Sequence, residues 1–192
     1  MMKANPRLLF FLSLASVFCL FPLRDSAGKE GKSIPFHLQQ KEGAPKLSPA
    51  QFSAKVESLI MEQTNAAREG KKLSALADDE ILFKAARDHS QDMLQRNYLS
   101  HFSPEKKSVV DRVKKYQPKL QRSLGENLHT ISSAQGLVDP VAVADQMMDD
   151  WMHSPPHRKN ILSKDYAYLG VGCASDGQRI FCTQVFGGPS GK

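Results

Sequence analysis

The chain is poor in the residues that announce most enzymes. Its 192 residues include three cysteines and one tryptophan, and aromatics make up 8%. It has no Gly-x-Ser-x-Gly elbow, no phosphate-cradling glycine loop and no cysteine in a catalytic setting. These absences remove the usual signs of an activated serine or cysteine nucleophile and of nucleotide chemistry. No internal repeat occurs, so a solenoid is excluded. The net charge is +6, but the lysines and arginines are scattered and no basic run is interleaved with aromatics. Nucleic acid is therefore not expected as a partner. An acidic surface, such as a cell wall or anionic lipid, stays open.

What is present begins with an export signal. Met1-Met2-Lys3 and Arg7 precede an apolar run from Leu8 to Leu23, broken only by Ser13, Ser16 and Pro22. The run is shorter than the roughly 20 residues that span a bilayer, and it sits where a secretory signal belongs. Residues 1–27 are expected to be removed after Ala27, leaving a mature form without a transmembrane anchor. Cys19 raises the alternative of a lipid-modified N-terminus, although bulky Phe18 stands where a lipoprotein signal carries a small residue. The protein is expected to be secreted, periplasmic or held in the cell envelope. Removing 27 of 192 residues leaves 165, enough for one domain and a tail. Loss of Lys3, Arg7, Arg24 and Asp25 lowers the charge from +6 to +4.

Two cysteines then remain, Cys173 and Cys182, and an even pair in an oxidising compartment is read as a disulfide. It would close a ten-residue loop, worth about 2.5–3 kcal/mol by the chain-entropy argument. The segments around it, Tyr168 to Ala174 and Arg179 to Phe186, have strand character and predict a C-terminal β-hairpin. A turn at Gly177-Gln178 sets Cys173 opposite Cys182. A turn at Asp176-Gly177 sets it opposite Ile180 and strains the bridge.

Residues 28–47 lack any sustained period and are read as a flexible leader; the folded body is expected over 48–188, with 189–192 as a tail. Ser48-Pro49 is an N-cap with proline at the first helical position. Phe52, Val56, Leu59 and Ile60 then mark one face of a helix to about Glu69, stopped by Gly70. A second helix is expected from Asp78, with Ile81, Leu82, Ala85, Ala86, His89 and Met93 on its buried stripe. His89 is expected there as a hydrogen-bonded core histidine. A third is expected from Pro104 to Tyr116, capped by Ser103, with Val109, Val110 and Val113 inward. A fourth opens at Asp139-Pro140, buries Val141, Ala144, Met148 and Trp151, and ends at Pro155-Pro156. Helices and strands do not alternate as βαβ, so the class is α+β.

Four histidines of the body invite chemistry: His101, His129, His153 and His157. His153 and His157 have the spacing of two zinc ligands on one helix, but two prolines between them break the helix and rule that pattern out. Glu126 and His129 form a Glu-x-x-His pair, expected in a loop leading into a strand. Spacing alone assembles no site from these.

The motifs together do more. Asn65-Ala66-Ala67-Arg68, Ser100-His101-Phe102-Ser103-Pro104, Asp111-Arg112, Gly125-Glu126-Asn127, Trp151 through Leu162 and Thr183-Gln184-Val185-Phe186-Gly187 occur in family order. On these the chain resembles the CAP superfamily (cysteine-rich secretory, antigen 5 and pathogenesis-related proteins) in its bacterial single-domain form. The resemblance implies a three-layer α-β-α sandwich with a central cleft. It places His101, Glu126 and His157 on three of the family's two-histidine, two-glutamate cleft positions, with Ser154 where the second glutamate stands. Two imidazoles and a carboxylate are enough to hold Zn²⁺ or another divalent cation with water as a fourth ligand. The function so implied is an exported binding module for a lipid-like molecule, a glycan or a protein surface. The alternatives are a metal-assisted hydrolase and a structural or host-interaction protein with a vestigial cleft.

Overall fold

A computed structural model describes residues 47–189. The expected signal, its cleavage after Ala27, the Cys19 alternative, all of the leader before Leu47 and the end of the tail lie outside the described residues. Helix α1 (Pro49–Glu69) begins at a capping box, in which the Ser48 hydroxyl and the Gln51 side chain each take the other's backbone N–H. Helix α2 (Glu80–Arg96) starts two residues later than expected. Asp78 belongs to the two-residue strand β1 (Ala77–Asp78), and Asp79 caps the helix by accepting from Leu82 N. Asn97 closes it in the left-handed region at φ 54°.

The third helix corrects the sequence expectation. Helix α3 spans Val109–Lys114, capped by a box between Ser108 and Asp111. Ser103 does not cap it. Its backbone instead closes a turn with Lys106 and Lys107, in which Lys106 has φ 62°, so Pro104 lies in a loop. Val113 is buried, but Val110 is 37% exposed. Strand β2 (Leu124–Ser132) comes next, and the Glu126–His129 segment lies wholly within it rather than in a loop. Helix α4 (Pro140–His153) has Asp139 as cap. Its buried stripe runs through Val143, Ala144, Met147, Met148 and Trp151, while Val141 is exposed. Ser154, in extended conformation, ends α4, and Pro155 opens helix α5 (Pro155–Ile161). Strands β3 (Tyr168–Ser175) and β4 (Arg179–Gly187) form the hairpin.

The sheet order is β1-β3-β4-β2, with β1 parallel to β3 and the other pairs antiparallel. Alternation along the strands gives each face its own helices. Leu169, Val171, Cys173, Ile180, Cys182 and Phe186 pack with α1, α4 and Ile161. Val185 packs with α2 and Val113, and Ala174 and Phe181 pack with Met93 and Leu94. The result is the expected three-layer α-β-α sandwich. Gly170 and Gly172 allow α2 to lie directly on the sheet. A Cβ on either would strike the helix backbone, at Leu82–Phe83 and at Ala86–Arg87.

Cys173 and Cys182 face each other across the hairpin with Cα atoms 4.2 Å apart and are bridged. The turn is therefore the Gly177-Gln178 alternative, with Gly177 at φ 92°. Cys173 N points away from β4 and donates to Glu57 Oε1 at 2.9 Å, as a narrow, non-hydrogen-bonded antiparallel pair requires. Glu57, also paired with Arg87 at 2.6 Å, so covers part of the free edge of β3.

Candidate functional site

The other sheet edge carries the site. Strand β2 has β4 on one side only, and its outer side is covered by α5 and the loop between α2 and α3. Asn160 Nδ2 donates to Glu126 O and Asn127 Oδ1, at 3.2 and 2.9 Å. Asn127, fully buried, donates to His157 O at 3.1 Å and to Gln184 Oε1 at 3.0 Å. This amide chain fastens the turn that carries His157 to the strand that carries Glu126.

Glu126 pairs with Val185, so its side chain points to the α2–α3 face. There the carboxylate is 3% exposed and both oxygens are engaged: Oε1 lies 2.8 Å from His101 Nδ1 and Oε2 lies 2.5 Å from Arg112 Nη2. A buried carboxylate needs such partners, since an unpaired one costs several kcal/mol, on the order of 3–5. Arg112, 10% exposed, also donates to the carbonyls of His101 and Lys107. It thereby ties the loop bearing His101 to Glu126. His101 itself is 53% exposed. With Nδ1 as the donor to the carboxylate, Nε2 is left as an outward lone pair.

His157 is half-buried on α5. Burial first, then the nearby imidazoles of His101 and His129, hold it below the ordinary histidine pKa, which keeps its ring neutral and able to accept or ligate. His129 lies three positions from Glu126, and on a strand that spacing sends it to the opposite face. It packs edge-on against Trp151 and bonds Asp150 at 2.8 Å. His153 ends α4, is 79% exposed and pairs with Asp149. Ser154 is half-buried and makes no capping hydrogen bond through its side chain. His89 is a buried histidine bonded to Ser100 O at 2.9 Å.

Of the residues read from the sequence, His101 and Glu126 are in direct contact. His157 stands in the same neighbourhood as His101 and His129. Among the described residues, no group of three or more histidine, cysteine, aspartate or glutamate side chains is placed to hold a metal ion. As placed, Glu126 is occupied by Arg112 and His101. Arg112 was not singled out from the sequence, although Asp111-Arg112 was among the matching motifs. The one sequence signal for it is its place in the Asp111-Arg112 motif; that it faces a buried carboxylate shows only in the fold.

A three-layer α-β-α domain with an imidazole, a carboxylate and a guanidinium gathered at an edge strand is the arrangement of an SCP-type α+β domain. The chain belongs to the cysteine-rich secretory protein (CAP) family, whose model matches residues 61–186. It is 36% identical to YkwD of Bacillus subtilis (strain 168) over 148 residues, covering 77% of this chain and 53% of that protein. It is 37% identical to the membrane protein YlbC of the same organism over 131 residues, covering 68% of this chain and 34% of that one. The chain thus spans about half or less of the curated relatives it matches. Among solved structures, an extracellular SCP-domain protein from Bacillus anthracis is 32% identical with a TM-score of 0.59, over 74% of this chain and 44% of that one. An outer surface protein of Borrelia burgdorferi shares the fold at 15% identity and a TM-score of 0.62, over 76% and 98% of the two chains. Among the described residues no helix is long and apolar enough to cross a membrane.

Proposed function

We propose that the chain is an exported binding module whose ligand is held between His101 and His157. The observation that carries this is the placement of His101, whose Nδ1 is 2.8 Å from a carboxylate that is also paired with Arg112. With Nδ1 donating to the carboxylate, Nε2 is the ring nitrogen left for a ligand, and the His157 ring, kept neutral by burial, lies nearby. Such a pair suits a divalent cation such as Zn²⁺, or a polar headgroup or glycan hydroxyl. Glu126 would complete a three-ligand set with them only by leaving Arg112. A metal-assisted hydrolase needs a carboxylate free to take a proton from water. Glu126 is engaged, and Ser154 supplies none, so the binding reading is the stronger. An extracellular or envelope setting accords with the Bacillus anthracis relative, which is described as extracellular.

Calorimetric titration of the exported protein with Zn²⁺ tests this reading. The expected result is one saturable site, lost in both His101→Ala and His157→Ala. Glu126→Gln, which replaces the charged anchor of the His101 ring by a neutral one, should weaken affinity by about 10–100-fold. Identical heats for the wild type and both histidine variants would remove the imidazole pair as a cation site.

A further inference from the structure

Glu126 and Asn127 are consecutive on β2, so their side chains leave on opposite faces of the sheet. Glu126 meets His101 on the α2–α3 face at 2.8 Å. Asn127 faces the other layer, beside its register partner Gln184 on β4, and both are fully buried. The two imidazoles of the site are therefore held from two sides, His101 by a carboxylate and His157 by an amide.

The amide does not act alone. Asn127 Nδ2 donates to His157 O at 3.1 Å and to Gln184 Oε1 at 3.0 Å. Gln184 Nε2 donates in turn to Thr64 Oγ1 at 2.8 Å. Thr64, fully buried on α1, gives its own proton to Ile60 O at 2.7 Å. Both ends fix the direction of this series, because the carbonyls of His157 and Ile60 can only accept. Asn127 Oδ1 is left to accept from Asn160 Nδ2 at 2.9 Å. Turning over either buried amide would set donor against donor or acceptor against acceptor, which is costly away from water. Helix α5 is seven residues long and Ser154 gives it no side-chain cap, so it has little of its own to hold His157 in place.

We propose that Thr64 and Gln184 are positioning residues for His157, setting from α1 where the second imidazole stands; this rests on the reading of His101 and His157 as one site. The test is NMR of the exported protein, first without metal and then with Zn²⁺. In the wild type the side-chain amide protons of Asn127 and Gln184 should exchange far more slowly than those of exposed Gln95. Thr64→Val, which keeps the shape and removes the hydroxyl, should move the Asn127 side-chain amide and the His157 ring signals while those of His101 stay in place. Thr64→Ser, which keeps the hydroxyl, should restore the wild-type signals. Zn²⁺ affinity should fall about tenfold in Thr64→Val and be retained in Thr64→Ser. Rapid exchange of the two amides in the wild type would overturn the proposal, and that measurement decides it even where Thr64→Val does not fold. So would an unmoved His157 in Thr64→Val, equal displacement of His101 and His157, or a serine variant that restores nothing. The shifts need no cation: a wild type that binds no Zn²⁺ removes the cation site, whereas an unmoved His157 removes the positioning role.

Discussion

At the residue scale, Arg112 matters more than its position outside the imidazole pair suggests. Its guanidinium neutralises a carboxylate that is 3% exposed and holds the backbone of the loop carrying His101. Replacing it with Met leaves Glu126 charged and without its cation, so Arg112→Met should lower the unfolding free energy by about 3 kcal/mol. Lysine keeps the charge but not the forked donor geometry, and Arg112→Lys should recover only part of that loss. Urea denaturation measures both, and equal stability of Arg112→Met and wild type would show that Glu126 is not dependent on this pair. The contact between His101 and Glu126 was legible only through the family motifs, because 25 residues of chain separate them and no periodicity spans that distance. Arg112 escaped for a related reason. A scattered arginine on a short helix looks like solvent-facing charge until the carboxylate opposite it is known to be buried.

Among the elements, what sequence chemistry states locally was readable, and what depends on tertiary contact was not. Ser48-Pro49 and Asp139-Pro140 announce α1 and α4, because caps and first-turn prolines act within three residues. The placement of α3 failed because Ser103-Pro104 mimics such a start while its backbone is drawn into a loop turn by Lys106 and Lys107. Strand β2 runs through Gly125-Glu126-Asn127, where the local sequence suggests a loop, because its polar side chains are buried by α3 and α5 closing over the sheet edge. The hairpin was readable, and its turn alternative was resolved by Gly177. The tightest requirement among the elements is the seating of α2 on Gly170 and Gly172. Gly172→Ala should destabilise the fold by about 3 kcal/mol, since a methyl there forces helix and sheet apart. A melting curve unchanged from wild type would show that α2 does not rest on the strand at this position.

For the whole molecule, acidity is the condition that should discriminate most. His89 is held below the ordinary histidine value first by burial and then by the charge of Arg112, and His157 first by burial and then by its neighbouring imidazoles. In the unfolded chain both return to about 6.5. As pH falls through that value the unfolded state takes up protons that the fold resists, so stability is highest above it and declines on acidification. The midpoint of thermal unfolding should be flat above about pH 7 and fall between 7 and 5.5. His89→Gln, which cannot take up a proton, should remove part of the slope. A midpoint independent of pH over this range would mean that neither ring is buried as described.

The central claim is that His101 and His157 act as one site whose first member is oriented by Glu126. The most direct measurement follows the ring nitrogens of the histidines by ¹⁵N NMR at neutral pH, before and during addition of Zn²⁺. The account predicts His101 protonated at Nδ1 beforehand, and resonances of His101 and His157 that move together with a single midpoint. His101 protonated at Nε2, or two rings that respond at different cation concentrations, would contradict it.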